Sequence, residues 1–361
     1  MVMKKLLSIV MIMMLMLALV ACGNSTTTTT TEGNTEAVQE TTAAPTGTEM
    51  PLKGKLMGVV TPSADHGFTA ESIQHCEAQV KALSAEYGFD YKFMTAAESG
   101  EQSNAIDTIL AMEPDVFVLW PVNGDELKSA AQTIQEAGVP LIIYDRMISD
   151  FTPTSTLMGD NDAIGEGAGE YFNAMFATEL AAGKVNLLLF EGDSSSVPLQ
   201  RTNGFKKTAN PNFNIVQSFE TNWSQQTAME QMESYLTTKT KEEIESIQAI
   251  FTHDDEIVFG IVEALKNYDG DAKINIKLIS GVAASSGFMD IIEDSGLDGI
   301  EFMTYTFSPS MVRDAVDLGL KVLQGETLDA DYLVPTSMVD KTNYKEYMES
   351  DIYKIRYSLG K

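Results

Sequence analysis

Between Leu56 and Val339 the chain alternates short, unbroken apolar runs with longer stretches in which apolar residues recur every three or four positions. The runs have the look of strands buried on both faces of a parallel sheet, and the periodic stretches that of amphipathic helices. The pattern is clearest from Asp115 to Ile148. Val116–Leu119 predicts a strand that stops at Trp120-Pro121. Leu127, Ala130, Ala131 and Ile134 predict a helix over about 125–137, closed by Gly138 and barred from continuing by Pro140. Leu141–Tyr144 predicts a second buried strand, and Asp145-Arg146 stand at its carboxyl end.

The same reading predicts strands at Leu56–Val60, Asp90–Met94, Thr156–Gly159, Lys184–Phe190, Asn214–Phe219, Ile247–Thr252, Ile276–Ser280 and Ile300–Thr306. A last extended piece covers Tyr332–Val339. Helices fall between them, one of them capped by Ser224 and another opened by His253-Asp254-Asp255-Glu256. Repeated strand–helix alternation implies an α/β fold with parallel sheets covered on both faces. The strands are too many for one small sheet. A (β/α)8 barrel competes, but the extended segment Thr156–Asn161 reads as a crossover between two units of similar size.

The amino terminus lies outside this pattern. Lys4-Lys5 precede an apolar run from Leu6 to Ala21, which is short of the ~20 residues a spanning helix needs. Basic residues, an apolar run and small residues before Cys22 make a secretory leader over 1–21, and the cysteine at the cut resembles a bacterial lipobox, which implies a lipid on Cys22. Residues 22–52, with six consecutive threonines, read as a tether. Only Cys76 remains for the mature fold; it shares a stripe with Ile73, Val80 and Leu83, so it reads as core and no internal disulfide can form. A net charge of -28 argues against nucleic acid and anionic lipid as partners.

Candidate chemistry gathers at strand carboxyl ends, where open α/β sheets bind ligands. There stand Asp65, His66 and Phe68; Trp120 and Asn123; Asp145 and Arg146; Arg201; Trp223; His253 and Asp254; and Phe307. Carboxylates accept from hydroxyls, guanidinium forks donate to oxygens, and aromatic faces cover the C–H face of a sugar, so the set suits a neutral polyhydroxylated ligand. Taken singly each has a plainer reading: Trp120 or Phe307 as core, Asp254 as a helix cap, Arg201 as a solvated charge. Hydrolase, Walker and zinc-protease motifs are missing. Gly165-Glu166-Gly167-Ala168-Gly169 sits inside a predicted helix, which excludes a dinucleotide loop. No metal or cofactor is expected: three histidines lack zinc spacing, and the carboxylates of Asn267–Asp271 lack the rest of a calcium loop.

At WPVNGDEL, AGVPLIIYDRMISD, MGDNDAIGEGA, THDDEIVFG and LISGVAAS the chain resembles the type I periplasmic sugar-binding proteins of ABC importers, of the ribose, galactose and xylose kind, and xylose-binding proteins above all. The resemblance runs from about Lys55 to Tyr344. It implies two Rossmann-like lobes joined by three crossovers near Met158-Gly159, Thr306-Phe307 and Thr336-Ser337, with residues 53–158 and 307–336 in one lobe and 159–306 and 337–361 in the other. It implies sugar ligation by Asp145, Arg146 and Arg201, stacking on Trp223, and Asp254 where the family usually has asparagine. Val282-Ala283 stand where an aspartate is usual, and Phe307-Ser308 where Gln or Lys is common, so the resemblance implies a less polar cleft and a deoxy, modified or less common sugar. The expected protein is a monomeric, lipid-anchored, extracytoplasmic binding protein with an ABC permease as partner. A sensor module using the same cleft, or a nucleoside or modified-sugar binder, is the alternative; an enzyme would need a placed nucleophile or base near Asp145.

Overall fold

The structure, a computed structural model, describes residues 50–359. The leader, Cys22 and nearly all of the 22–52 tether lie outside the described residues. The strands are β1 (Leu56–Pro62), β2 (Asp90–Ala96), β3 (Val116–Leu119), β4 (Leu141–Tyr144), β5 (Ser155–Gly159), β6 (Val185–Glu191), β7 (Phe213–Glu220), β8 (Ile247–Thr252), β9 (Leu278–Ala283), β10 (Glu301–Thr306), β11 (Asp331–Val334) and β12 (Met338–Asp340). They form two six-stranded sheets, ordered β11-β5-β4-β3-β1-β2 and β12-β10-β9-β8-β6-β7. Two open sheets exclude the single closed barrel.

The apolar runs became the central strands. β3 and β4 are buried along their whole length, and Val118 lies opposite Val59 of β1 and Ile142 of β4. All pairs are parallel except β12, which runs antiparallel to β10. The helix expected over 125–137 is a 3-10 turn, Asp125–Leu127, followed by an α-helix, Lys128–Glu136, and Gly138 ends it at φ 74°. Cys76 is fully buried in the core, and burial pushes its thiol up to about 12.

The chain passes between the sheets three times: after β5, after β10 and after β11. The single extended piece expected over Tyr332–Val339 is therefore two strands in different sheets. Pro335 has no N–H to continue a ladder and marks the break. Two of the crossings are stitched to each other: Thr336 Oγ1 donates to the Thr306 carbonyl, and the Ser337 N–H donates to Thr306 Oγ1, both at 2.9 Å.

The glycine-rich stretch 165–169 lies within the Asn161–Met175 helix, which packs on the Ser196–Thr208 helix. A Cβ on Gly165 would strike the Arg201 carbonyl and the Phe205 N–H, and one on Gly204 would strike the Asp162 carbonyl. The glycines permit a backbone-to-backbone approach of two helices, and that approach sets the position of Arg201. Gly165→Ala is expected to lower stability by about 1–3 kcal/mol through overpacking. Urea unfolding measures it as a lower midpoint with an unchanged slope. A midpoint that does not move would mean that the two helices separate freely.

Candidate ligand-binding cleft

Each sheet reverses its strand order at one place: between β1 and β3 in the first, between β6 and β8 in the second. At such a switch point neighbouring loops leave in opposite directions and open a crevice. Here the two crevices face each other. One cavity of about 20 Å³ is lined by His66, Phe68 and Thr69 after β1, Trp120 after β3, Asp145 and Arg146 after β4, Val197 and Arg201 after β6, Trp223 after β7, Asp254 after β8, and Phe307 after β10. That is room for about one water, so the walls are shut on one another and a ligand must part them to enter.

Local structure fixes each group. Gln102, fully buried, holds the loop after β3 from both sides: its amide donates to the Trp120 carbonyl at 2.9 Å and its oxygen accepts from the Val122 N–H at 2.7 Å. The Trp120 indole meets Tyr144 edge-on at 5.3 Å and donates to Asp145 Oδ2 at 3.1 Å. Asp145 itself sits at φ 68°, and Trp223 at φ 62°, a region disfavoured for residues with a Cβ. Two site residues thus hold a backbone shape that only their surroundings sustain. Aromatic faces form the walls: Phe68 against Phe307 at 5.5 Å, His66 against Trp223 at 6.3 Å, and the Arg201 guanidinium over Phe307 at 4.6 Å.

The charges are buried and mutually dependent. Arg146 donates to the Val122 carbonyl and reaches Asp193 at 3.1 Å, and its Nε stands 3.9 Å from Asp145 Oδ2. Arg201 donates to Asn161 Oδ1 at 2.9 Å and to the His253 carbonyl. Its burial brings its pKa down to about 10, against the pull of Asp254 and Asp145. Burial raises Asp145 above the usual carboxylate range, partly offset by the two arginines. Asp254 is raised further, by burial and by the adjacent Asp255 and Glu256. Burial also pushes Asp193 upward, but the Arg146 charge and the hydrogen bond from the Ser195 N–H at 2.9 Å hold it below its ordinary value. His66 and His253 are depressed by burial and stay neutral.

Four buried polar atoms of the lining have no hydrogen-bond partner: His66 Nδ1, Asp145 Oδ1, Arg146 Nε and Trp223 Nε1. A larger open depression of about 350 Å³ lies at the crossings, beside Thr306, Ser308 and Pro335, and none of the buried unpartnered atoms borders it. The chemistry is concentrated in the smaller cavity.

Nine of the twelve residues singled out in the sequence line this cavity. Asp65, Asn123 and His253 do not: Asp65 accepts from Thr69 Oγ1 at 2.7 Å, the His253 ring meets Thr202 Oγ1 at 3.2 Å, and Asn123 Oδ1 accepts from the Glu126 N–H at 3.3 Å and steadies the 3-10 turn. Asp254 is both things at once, since its Oδ1 caps the Asp255–Asn267 helix at the Glu256 N–H, 2.8 Å, while the residue lines the cavity. Arg201 is not a solvated charge but 2% exposed. Val282 and Ala283 are buried outside the lining, and the Ala283 carbonyl accepts from Arg356 at 2.7 Å. Sequence reasoning missed Thr69, Val197, Asp193 and Glu256. Asp193 follows β6 directly, so the strand-end rule that marked Asp145 would have found it. Nothing local marks Glu256, whose carboxylate accepts from the Gly67 N–H on the other side of the cleft.

Residues 57–327 match the family model described as the periplasmic binding protein domain. The chain is 24% identical over 228 residues to the ribose import binding protein of Salmonella typhimurium, covering 63% of this chain and 71% of that protein. It is 24% identical over 252 residues to the D-apiose import binding protein of Paraburkholderia graminis, covering 68% and 75%. Among solved structures, one from Mycobacterium smegmatis in complex with β-D-fucofuranose superposes with a TM-score of 0.72 at 23% identity, covering 85% of this chain and 98% of that one. The matched span runs from β1 to beyond the second crossing and takes in strands of both sheets, and the chain belongs to the periplasmic binding protein family.

Proposed function

We propose that this protein is an extracytoplasmic solute-binding lipoprotein, tethered through Cys22, that captures a monosaccharide of xylose-like or related aldose type and delivers it as a monomer to an ABC permease. The observation that carries the reading is the cavity's lining: unpartnered, buried polar atoms of both hydrogen-bonding kinds, set among aromatic faces, where two strand-end crevices meet. An unmet buried polar atom costs about 1–3 kcal/mol, so a ligand that supplies hydroxyls at His66, Asp145 and Arg146 favours the closed arrangement directly. The ring faces of Phe68, Trp223 and Phe307 suit the C–H face of a sugar. The names of the relatives, ribose and D-apiose import binding proteins, point the same way.

The mechanism is rotation of one lobe, 53–158 with 307–336, against the other, 159–306 with 337–361, about the three crossings. Contacts that span the cleft exist only when it is shut: Arg146 with Asp193, the Met147 N–H on Ser196 Oγ at 3.1 Å, and the Glu256 carboxylate on the Gly67 N–H. Glu256 closes onto the amino-terminal end of the Gly67–Tyr87 helix, which has no acid in its own first turn. Closure buries the ligand, no covalent step occurs, and both roles follow from one motion.

Thermal unfolding against pentoses, hexoses, deoxy sugars, cyclitols and nucleosides tests the ligand class. A sugar at 100 times its dissociation constant should add about 2.7 kcal/mol to stability. The shift should vanish in Arg146→Ala and Trp223→Ala. A shift with nucleosides alone would keep the binding cleft and remove the sugar.

Asp193→Asn should weaken ligand binding by roughly 10- to 100-fold by loosening the closed form. Because the Asp193 pKa is depressed, its ion pair stabilises closure above the usual carboxylate pKa and is lost as pH falls through the depressed value. Calorimetric titration should therefore show the wild-type advantage over the variant persisting from neutral pH to about pH 4 and disappearing below it. Equal affinities at neutral pH would remove Asp193 from the closing mechanism.

A further inference from the structure

The cavity and its immediate partners hold three carboxylates, Asp145 and Asp254 buried and Asp193 half-buried, but only two guanidinium groups, Arg146 and Arg201. Their pairing is visible. Arg146 is taken by Asp193 at 3.1 Å, with Asp145 at 3.9 Å. Arg201 spends its hydrogen bonds on Asn161 Oδ1 and the His253 carbonyl and acts on Asp145 and Asp254 from beyond ion-pair distance. The neighbouring acids do not enter the count. Asp255 is met by the Ser285 N–H at 2.7 Å and by Thr304 Oγ1 at 2.8 Å, and Glu256 by the Gly67 N–H. His66 is neutral. Asp254 is therefore the buried carboxyl without an ion-pair partner among the described residues; one backbone N–H supports it in the cap, and unpaired it holds its proton more readily than an ordinary carboxyl. In the same cavity Asp145, 4% exposed, keeps Oδ1 without any donor.

A buried charge is tolerated when it is paired. The arrangement asks its occupant for one positive charge and for hydrogen-bond donors. A neutral polyol supplies only the second. We propose that the preferred ligand is a polyol bearing a protonated amine, an amino sugar or amino cyclitol, whose ammonium group balances Asp254 while its hydroxyls donate to Asp145 Oδ1. This rests on the monosaccharide reading of the cleft and narrows it from polyols in general to aminated ones. It also gives Asp254 a task that its capping role leaves undone, since a serine or asparagine caps a helix as well.

Isothermal titration of the purified protein with matched pairs tests it: glucosamine against glucose, galactosamine against galactose, and an amino-deoxy inositol against its parent inositol. At least one amine should bind about tenfold or more tighter than its neutral partner, as a charge-assisted contact in a buried site requires. Asp254→Asn and Asp254→Ser keep a capping side chain, and circular dichroism with thermal unfolding establishes that they fold. In both, the preference should fall below about threefold or reverse in favour of the neutral partner. A neutral member that binds as well as its amine in the wild type overturns the charge assignment and leaves the sugar reading standing. An amine preference that survives both substitutions overturns the role of Asp254. Failure of every member of every pair overturns both the aminated ligand and the monosaccharide reading.

Discussion

Four ionisable side chains, Asp145, Arg146, Arg201 and Asp254, are buried where the two sheets face each other, with Asp193 half-buried beside them, and no single lobe satisfies them. Asp145 and Arg146 come from one lobe, Asp193, Arg201 and Asp254 from the other. Taken out of water alone, each would carry a penalty of several kcal/mol. Brought together they compensate, and the compensation depends on the lobes being closed. Much of the remaining architecture serves that meeting. Gln102 locks the loop that carries Trp120, and Trp120 in turn orients Asp145. The interleaved glycines seat the helix that carries Arg201. The left-handed backbone at Asp145 and Trp223 is tolerated because these neighbours dictate it.

A second set of buried charges lies away from the cavity and steadies the same joint. Arg356, in the short Asp351–Arg356 helix, donates to Glu71 at 2.8 Å and to the Ala283 carbonyl at 2.7 Å, so the end of the chain bridges both lobes. Its own carbonyl meets His75 Nε2 at 2.8 Å, and Arg313 donates to His75 Nδ1 at 2.9 Å. Burial and the nearby arginines keep that imidazole neutral, as a ring accepting from a guanidinium must be. The carboxyl-terminal segment is thus a structural part of the joint.

Most of the fold was legible because parallel strands buried on both faces have no polar phase to obscure them. Val116–Leu119 and Leu141–Tyr144 announce themselves as apolar runs, and the loops behind them locate the site without any motif. The strand-end rule leads to the cavity wall for Trp120, Asp145, Arg146 and Asp254 because it depends on topology alone. At Asn123 the loop turns away from the cavity to close a 3-10 turn. The rule could not reveal Glu256, whose partner lies nearly two hundred positions away on the other lobe, since nothing in the local sequence encodes a contact made only by closure. Tyr332–Val339 reads as one strand because a switch between sheets leaves the apolar pattern intact, and only Pro335 betrays it.

The stitched crossings have a mechanical consequence. A single covalent link would let two bodies twist, slide and swing. Three links lying side by side, with Thr306 bonded to Thr336 and Ser337, act as the pins of one door and suppress all but the swing. The mouth of the cleft is then always the edge remote from the pins. The redundancy also separates chain continuity from assembly: a protease that cut any one crossing would leave the two halves joined by the other two, still hung on the same axis and still able to shut.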